Sequence, residues 1–370
     1  MSTIHDDTFA FIFHPINIKR DVTRKYPFWG RVLGEAQINF LSRFFPPVYI
    51  SQIDGITSQS NNRQLTGWFI AAPYTPQVML SLPPRRVYNK IVDCGEMAME
   101  LGAKILGLGA YTSVVGDGGV TIAERLEIPV TTGDSYTVYI AVQAVRDAAN
   151  IMDIPVHSAK AAVVGATGAI GGACAEMLAD EVAHLVLVGR REEALAEAAA
   201  RCSSGKAMVV TSTDMKDIYD ADLILTVTSA THAVIEPEHI KPGAVVCDVA
   251  RPRDVSQLVY EKRDDVLVFE GGMIDVPGDV QFNFDFGFPP GKAFACMAET
   301  MALALEGLYE DYTLGKHITT EHCIRIGHIA EKHGFRLSGF RSFEKAVSDA
   351  HIEGIREKAR KNRLVWSPEF

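Results

Sequence analysis

Residues 161–172 read AAVVGATGAIGG, and this stretch decides the fold. A β-branched apolar run ends at Gly165, and a helix-forming run follows from Ile170. Gly165 permits a tight strand-to-helix turn, Gly168 lets backbone approach a pyrophosphate, and Gly171 allows close helix–strand packing. Across Gly165, Ala166, Thr167, Gly168, Ala169, Ile170 and Gly171, the free N–H groups of a helix start would bind phosphate. A bare glycine pattern is weak evidence. Here the preceding strand and following helix supply the context that dinucleotide binding requires.

The surrounding residues 158–272 alternate strand and helix. Strands are expected at 159–164, 184–188, 207–210, 223–227, 244–248 and 266–269, with helices at 170–180 and 192–201. That βαβ rhythm implies a parallel sheet with right-handed crossovers. The second strand ends in LVLVGRRE (185–192), with Arg190 and Arg191 where an NAD site usually carries a carboxylate. Two guanidiniums attract and grip a 2′-phosphate, so the expected coenzyme is NADPH. TVTSATH (226–232) places Thr228 and Ser229 at the end of the fourth strand, where backbone would pass the nicotinamide ribose. AVVCDVARPRDV (244–255) ends the fifth strand at the same sheet edge.

The chain has 370 residues, 47% hydrophobic and 22% charged, which is long enough for two to three domains and a sizeable core. Its net charge of −10 argues against a general nucleic-acid binder. Residues 1–104 carry 11 basic and 8 acidic residues, and the rest 25 and 38, so the front is positive and the remainder acidic. Solvated surface charge is the commoner cause of such an asymmetry, and an anionic partner docking on Arg20, Arg24, Lys25, Arg85, Arg86 and Lys90 is the functional alternative. The six cysteines are never closer than 27 residues apart, so no metal-ligand pair exists among them. The histidines at 317, 322, 328 and 333 lack zinc-site spacing, and no metal is expected. Dispersed thiols, no signal-like N-terminus and no long apolar run lead to the expectation of a cytoplasmic protein without a transmembrane segment.

Four segments are expected: an α/β substrate domain over 1–157, a nucleotide domain over 158–275, a helical segment over 276–340, and a charged tail over 341–370. The tail includes the basic amphipathic stretch 355–366, read as a solvated helix with peripheral membrane contact as its functional alternative. Phe282, Phe284, Phe286 and Phe288 alternate with other residues, which fits a half-buried strand or the wall of an apolar channel. FPPGKAFACMAETMALALEG (288–307) puts Cys296 in the first turn of a helix. Unpaired N–H groups there would lower the thiol pKa and could hold an oxyanion.

With these motifs the chain resembles the long-chain acyl-[acyl-carrier-protein] reductases over about residues 88–340. The resemblance is carried by ILGLGAYTSVVGDGG (105–119), PVTTGDSYTVYIAVQAV (129–145), AAVVGATGAIG with LVLVGRR, and FACMAETMALALEG with HGF at 333–335. It departs where Asp134 replaces a frequent Asn and Ala169 a frequent Asp. The resemblance implies NADPH-dependent reduction of a fatty acyl thioester, on carrier protein or coenzyme A, to an aldehyde. It makes Cys296 the acyl acceptor, and it puts Thr112 and Ser113 (TSVV) and Thr132 and Gly133 (TTG) at the border of the active site. His317 and Tyr111 stand as candidate proton sources. Two other readings remain: a shikimate-dehydrogenase-like enzyme acting on a small polar substrate, and a non-catalytic NADP sensor. The expected architecture is a Rossmann-like parallel-sheet domain plus an α/β substrate domain completed by C-terminal helices.

Overall fold

The computed structural model of the chain describes residues 6–15, 18–109 and 111–366. They form two compact units, interleaved along the sequence. One comprises Met1–Tyr136, Ile274–His317 and Ile324–Arg336, and the other Thr137–Met273, Ile318–Cys323 and Leu337–Phe370.

The second unit is built on six parallel strands in the order Leu267–Glu270, Val245–Asp248, Leu223–Thr226, Lys160–Val164, His184–Val188, Met208–Ser212. In sequence rank this is 6-5-4-1-2-3, the doubly wound nucleotide-binding order. The central strands are almost wholly apolar because both sheet faces are covered. Four of the six strands start one residue later than their sequence-based bounds, and the helices run Ala169–Ala179 and Glu192–Arg201.

The tail belongs to this unit as a packed element. Its helix Asp349–Arg363 buries Ile352, Ile355 and Ala359. Arg363 Nε donates to the Pro242 carbonyl at 3.0 Å, and Asn362 Nδ2 to Asp265 Oδ2 at 2.9 Å. The helix is therefore seated along one face by Ile352, Ile355 and Ala359, while residues 360–366 stay exposed, so the expected solvated helix is docked on that one face. One apolar stripe is enough to seat a helix whose other faces are charged.

The first unit holds a mixed six-stranded sheet in the order Gly278–Gln281, Val48–Thr57, Gln64–Ala71, Asp7–Phe13, Leu106–Leu108, Val130–Thr131. The last four run parallel, and the first two are added antiparallel. Helix Pro84–Glu100 covers one face with Val87, Ile91, Cys94 and Ala98. Helix Ala295–Glu306 crosses the sheet at Gly107, where a side chain would collide with Thr300 and the Phe11 ring.

The phenylalanines at 282–288 do not continue the strand, which stops at Gln281. They gather instead around Phe286, whose ring centre lies 5.2 Å from Phe13, 4.5 Å from Phe69 and 4.9 Å from Phe284. Phe288 extends the cluster to Phe294 at 4.6 Å. Ring edges meeting ring faces at these separations stabilise such clusters without strand geometry. Among the described residues no helix is long and apolar enough to cross a membrane.

Candidate functional site

The strands Leu106–Leu108 and Val130–Thr131 are parallel neighbours, with Leu106 paired to Val130. Their C-terminal ends therefore release the segments 109–119 and 132–134 at one sheet edge, where α/β sheets place their ligands. Phe294 is the N-cap of helix Ala295–Glu306, so Cys296 sits in the first turn. Gly133, with φ of 76°, brings the TTG turn against it, and a Cβ at 133 would overlap the backbone of Cys296.

Three residues along the same helix, Glu299 locks that turn in place. Its fully buried carboxylate accepts from Thr131 Oγ1 at 2.5 Å, Tyr136 N at 2.7 Å and Thr313 Oγ1 at 2.8 Å. Thr132 is buried beside them, and its Oγ1 has no well-aligned hydrogen-bond partner, although it lies near enough to Asp134 to favour that carboxylate. Five of the six cysteines are buried, whereas Cys296 keeps part of its surface open, as does Asp134.

Burial pushes the Cys296 thiol up to about 12, and the carboxyl groups of Asp134 and Glu299 push the same way. The N–H groups of Met297 and Cys296 pull it down but do not prevail. The expectation of a lowered thiol pKa is thus corrected: the helix start contributes as expected, but desolvation and nearby carboxylates outweigh it. Asp134 is itself pushed up to about 7 by burial and by Glu299. The charge on Asp134 therefore disfavours the Cys296 thiolate, as burial does.

Thr112 and Ser113 lie on the short helix Tyr111–Val114, both buried, with Thr112 Oγ1 donating to the Gly109 carbonyl at 2.8 Å. The buried Tyr111 donates its backbone N–H to Nε2 of His14 at 3.1 Å, and burial holds that imidazole neutral, down to about 4. His317 is exposed. The ionisable group beside the thiol is instead Asp134, which the sequence marked only as a departure from a family motif.

In the other unit, Gly165 has φ of 89°, and a Cβ there would approach the Val227 carbonyl to 2.6 Å. A Cβ on Gly171 would collide with the Gly165 carbonyl, whereas one on Gly168 would meet only that oxygen, at 3.3 Å. Two glycines are thus demanded by packing, and the third faces open space ahead of helix Ala169–Ala179. The turn and the loop 227–229 flank the point where strand order reverses, between Lys160–Val164 and Leu223–Thr226.

Buried Asp254 fixes that loop, accepting from Thr226 Oγ1 at 2.6 Å, Thr228 N at 2.7 Å and Thr228 Oγ1 at 2.5 Å. Thr228 is therefore placed by Asp254, a role the sequence did not disclose, and Ser229 follows in the same loop. Arg190 and Arg191 are exposed just past strand His184–Val188, and their guanidiniums pair with no described residue. These groups fit a dinucleotide: a bare backbone at Gly168, helix N–H groups behind it, and unengaged cations at the second strand end.

A third constellation is structural. Ser58 Oγ lies 2.8 Å from His333 Nδ1, and His333 Nε2 lies 2.7 Å from Glu306 Oε2. Ser58 is buried and already accepts from Ser60 N, so the array ties the 58–60 turn to the end of helix Thr320–His333. No group of His, Cys, Asp or Glu suited to a metal ion occurs among the described residues.

A model of the shikimate / quinate 5-dehydrogenase family matches residues 146–270, which lie within the nucleotide unit. The chain is 30% identical over 279 residues to aminotransferase PigE of Serratia sp., a match covering 74% of this chain and 32% of that protein. It thus spans about a third of PigE's length. It is 27% identical over 345 residues to the long-chain acyl-[acyl-carrier-protein] reductase of Synechococcus elongatus, covering 89% of this chain and 98% of that one. The dipicolinate synthase A chain of Bacillus subtilis aligns with a TM-score of 0.32 and 15% identity, over 51% of this chain and 61% of that chain. The Thermus thermophilus quinone oxidoreductase aligns at 0.26 and 17%, over 35% of this chain and 44% of that chain. The strand order gives the nucleotide unit a Rossmann-like α/β framework, and the matched family model falls within it.

Proposed function

We propose that this protein reduces a long-chain fatty acyl thioester, carried by coenzyme A or an acyl carrier protein, to the aldehyde with NADPH, through an acyl-enzyme on Cys296. The observation that carries the reading is the pairing at the TTG turn: a partly open thiol at a helix start, pressed by Gly133 and flanked by a carboxyl poised near neutrality. The similarity to a long-chain acyl-[acyl-carrier-protein] reductase over nearly its whole length supports the substrate class.

In this mechanism Asp134 carboxylate takes the Cys296 proton as sulfur attacks the thioester carbonyl. The carbonyl oxygen gathers negative charge, and the buried Thr132 hydroxyl, which has no well-aligned partner, donates to it together with helix-start N–H groups. Collapse forms the Cys296 thioester and releases the carrier thiolate, which recovers the proton from Asp134. NADPH, when bound, supplies the hydride that converts the new thioester carbonyl to the aldehyde level. The hemithioacetal oxyanion left on Cys296 then breaks its C–S bond, giving aldehyde and the Cys296 thiolate, which takes a proton from water to restore the thiol.

The aromatic cluster from Phe286 to Phe294, the N-cap of the cysteine helix, suits an acyl chain. Arg85 and Arg86, exposed at the start of helix Pro84–Glu100, suit the phosphates of coenzyme A or an acidic carrier. Arg24, Lys25 and Lys90 instead donate to the carbonyls of Phe286, Ile50 and Phe45. The test is aldehyde release from a C16 acyl thioester by Cys296→Ala: the mechanism requires its loss, and undiminished output would exclude the covalent route. A dehydrogenase of small polar alcohols would not need Cys296, so the same variant separates the two.

A further inference from the structure

Among the described residues, twenty large hydrophobic side chains stand exposed, and nine of them fall within residues 26–49. Phe28 is 68% exposed, Trp29 55%, Val32 61%, Phe40 60% and Phe44 73%. Phe28, Trp29 and Val32 stand on the short helix Pro27–Val32, Phe40 on helix Glu35–Ser42 and Phe44 in the turn after it, while helix Ile18–Lys25 precedes them. Such clustering exceeds the scatter of single exposed apolar side chains normal for protein surfaces. The segment 18–49 also holds six basic and two acidic residues in a chain of net charge −10.

The segment is anchored from its inner side. Ile18 and Ile38 are buried, and Gly30 packs so closely on Thr23 that a side chain there would overlap it. Lys25 Nζ donates to the Ile50 carbonyl at 2.8 Å, and Lys90 Nζ to the Phe45 carbonyl at 2.9 Å. The aromatic side chains are thus displayed by a fixed backbone, while Lys19, Arg20, Arg31 and Arg43 stand exposed around them.

We infer that residues 18–49 form a docking surface for a lipid bilayer with anionic headgroups. Aromatic and aliphatic side chains enter the boundary between headgroups and acyl chains, where Trp and Phe partition well. Lys and Arg beside them pair with the negative headgroups and reach out of the apolar layer on their long stems. A second copy of this chain fits poorly, because face-to-face association would set a patch of balance +4 against its like. The inference is independent of the reaction proposed above.

The experiment is co-sedimentation of the full chain with vesicles of phosphatidylcholine alone and with about one third phosphatidylserine. Binding to the anionic vesicles is expected, weakening with salt as exposed charges are screened. Phe28→Ser with Trp29→Ser, and separately Arg20→Glu with Arg31→Glu, should each reduce it about tenfold or more. Thermal melting and NADPH affinity, unchanged in both variants, would show that the fold persists. The proposal is overturned if the chain stays in solution with both vesicles, or if the folded variants bind as well as the parent. A concentration-dependent dimer abolished by the aromatic variant, without vesicle binding, would assign the face to self-association and likewise overturn it.

Discussion

Gly133 and Cys296 meet backbone to backbone: the left-handed turn at 133 leaves no space for even a methyl group against the cysteine. A glycine is required there twice, once for its φ of 76° and once for the close approach. Gly133→Ala should cost more than about 1 kcal/mol of stability. It should also displace the thiol, lowering single-turnover acylation roughly 100-fold, since small misplacements at reacting atoms have that scale. Thermal melting and stopped-flow acylation check the two effects separately.

Asp134 gives the pH dependence a definite sign. Its carboxyl lies above the ordinary carboxylate range, at about 7, because burial and Glu299 disfavour its charge. Acylation should therefore rise as pH increases through about 7, where the base form appears. Stability runs the other way: the protonated carboxyl suits the fold, so its contribution is full below about pH 4 and is lost as pH rises through about 7. Asp134→Asn should lose the rate inflection and about 100-fold in acylation. It should also gain melting temperature relative to the parent at pH 8. A variant that acylates normally at neutral pH would remove Asp134 from the mechanism.

Glu299 is the structural counterpart of that base. Glu299→Ala removes the acceptor of the Thr131 hydroxyl and the Tyr136 N–H, while the Thr313 hydroxyl keeps Ser135 Oγ at 2.8 Å. Each unpaired buried donor costs about 1–3 kcal/mol, so the variant should unfold at much lower denaturant concentration. Glu299→Gln, which keeps an acceptor oxygen, should recover part of the loss.

Much of this is legible in the sequence, for reasons that differ by unit. The nucleotide unit follows from local pattern: β-branched strands buried on both faces, and glycines whose spacing is dictated by backbone packing at 165 and 171. The TTG segment can be marked by motif, but its juxtaposition with Cys296 joins residues distant in sequence, which no periodicity encodes. The direction of the thiol shift is hidden for the same reason, because the helix start is local whereas the burial of the thiol, and then the carboxyl of Asp134, come through tertiary folding. Asp254 is one acid among 46 Asp and Glu residues until its three donors are in view. The docked tail helix is masked by its charge, since Ile352, Ile355 and Ala359 form a narrow stripe.

The proposed preference for NADPH assigns the 2′-phosphate to Arg190 and Arg191, which carry unengaged charge beyond the second strand of the nucleotide sheet. Replacing both with Ala should weaken NADPH binding roughly 10-fold or more for each charge-assisted hydrogen bond removed. NADH binding should change little, because it lacks the 2′-phosphate. Titration of both coenzymes by fluorescence measures the ratio, and equal losses for the two would contradict the assignment.

The central claim is that Cys296 carries the acyl group. Incubation with palmitoyl-coenzyme A in the absence of NADPH, followed by intact mass and peptide mapping, tests it most directly. The account predicts one palmitoyl adduct on Cys296, absent from Cys296→Ala and discharged when NADPH is added. A parent protein that turns over the thioester with NADPH yet never shows an adduct, or shows it equally in Cys296→Ala, would contradict it.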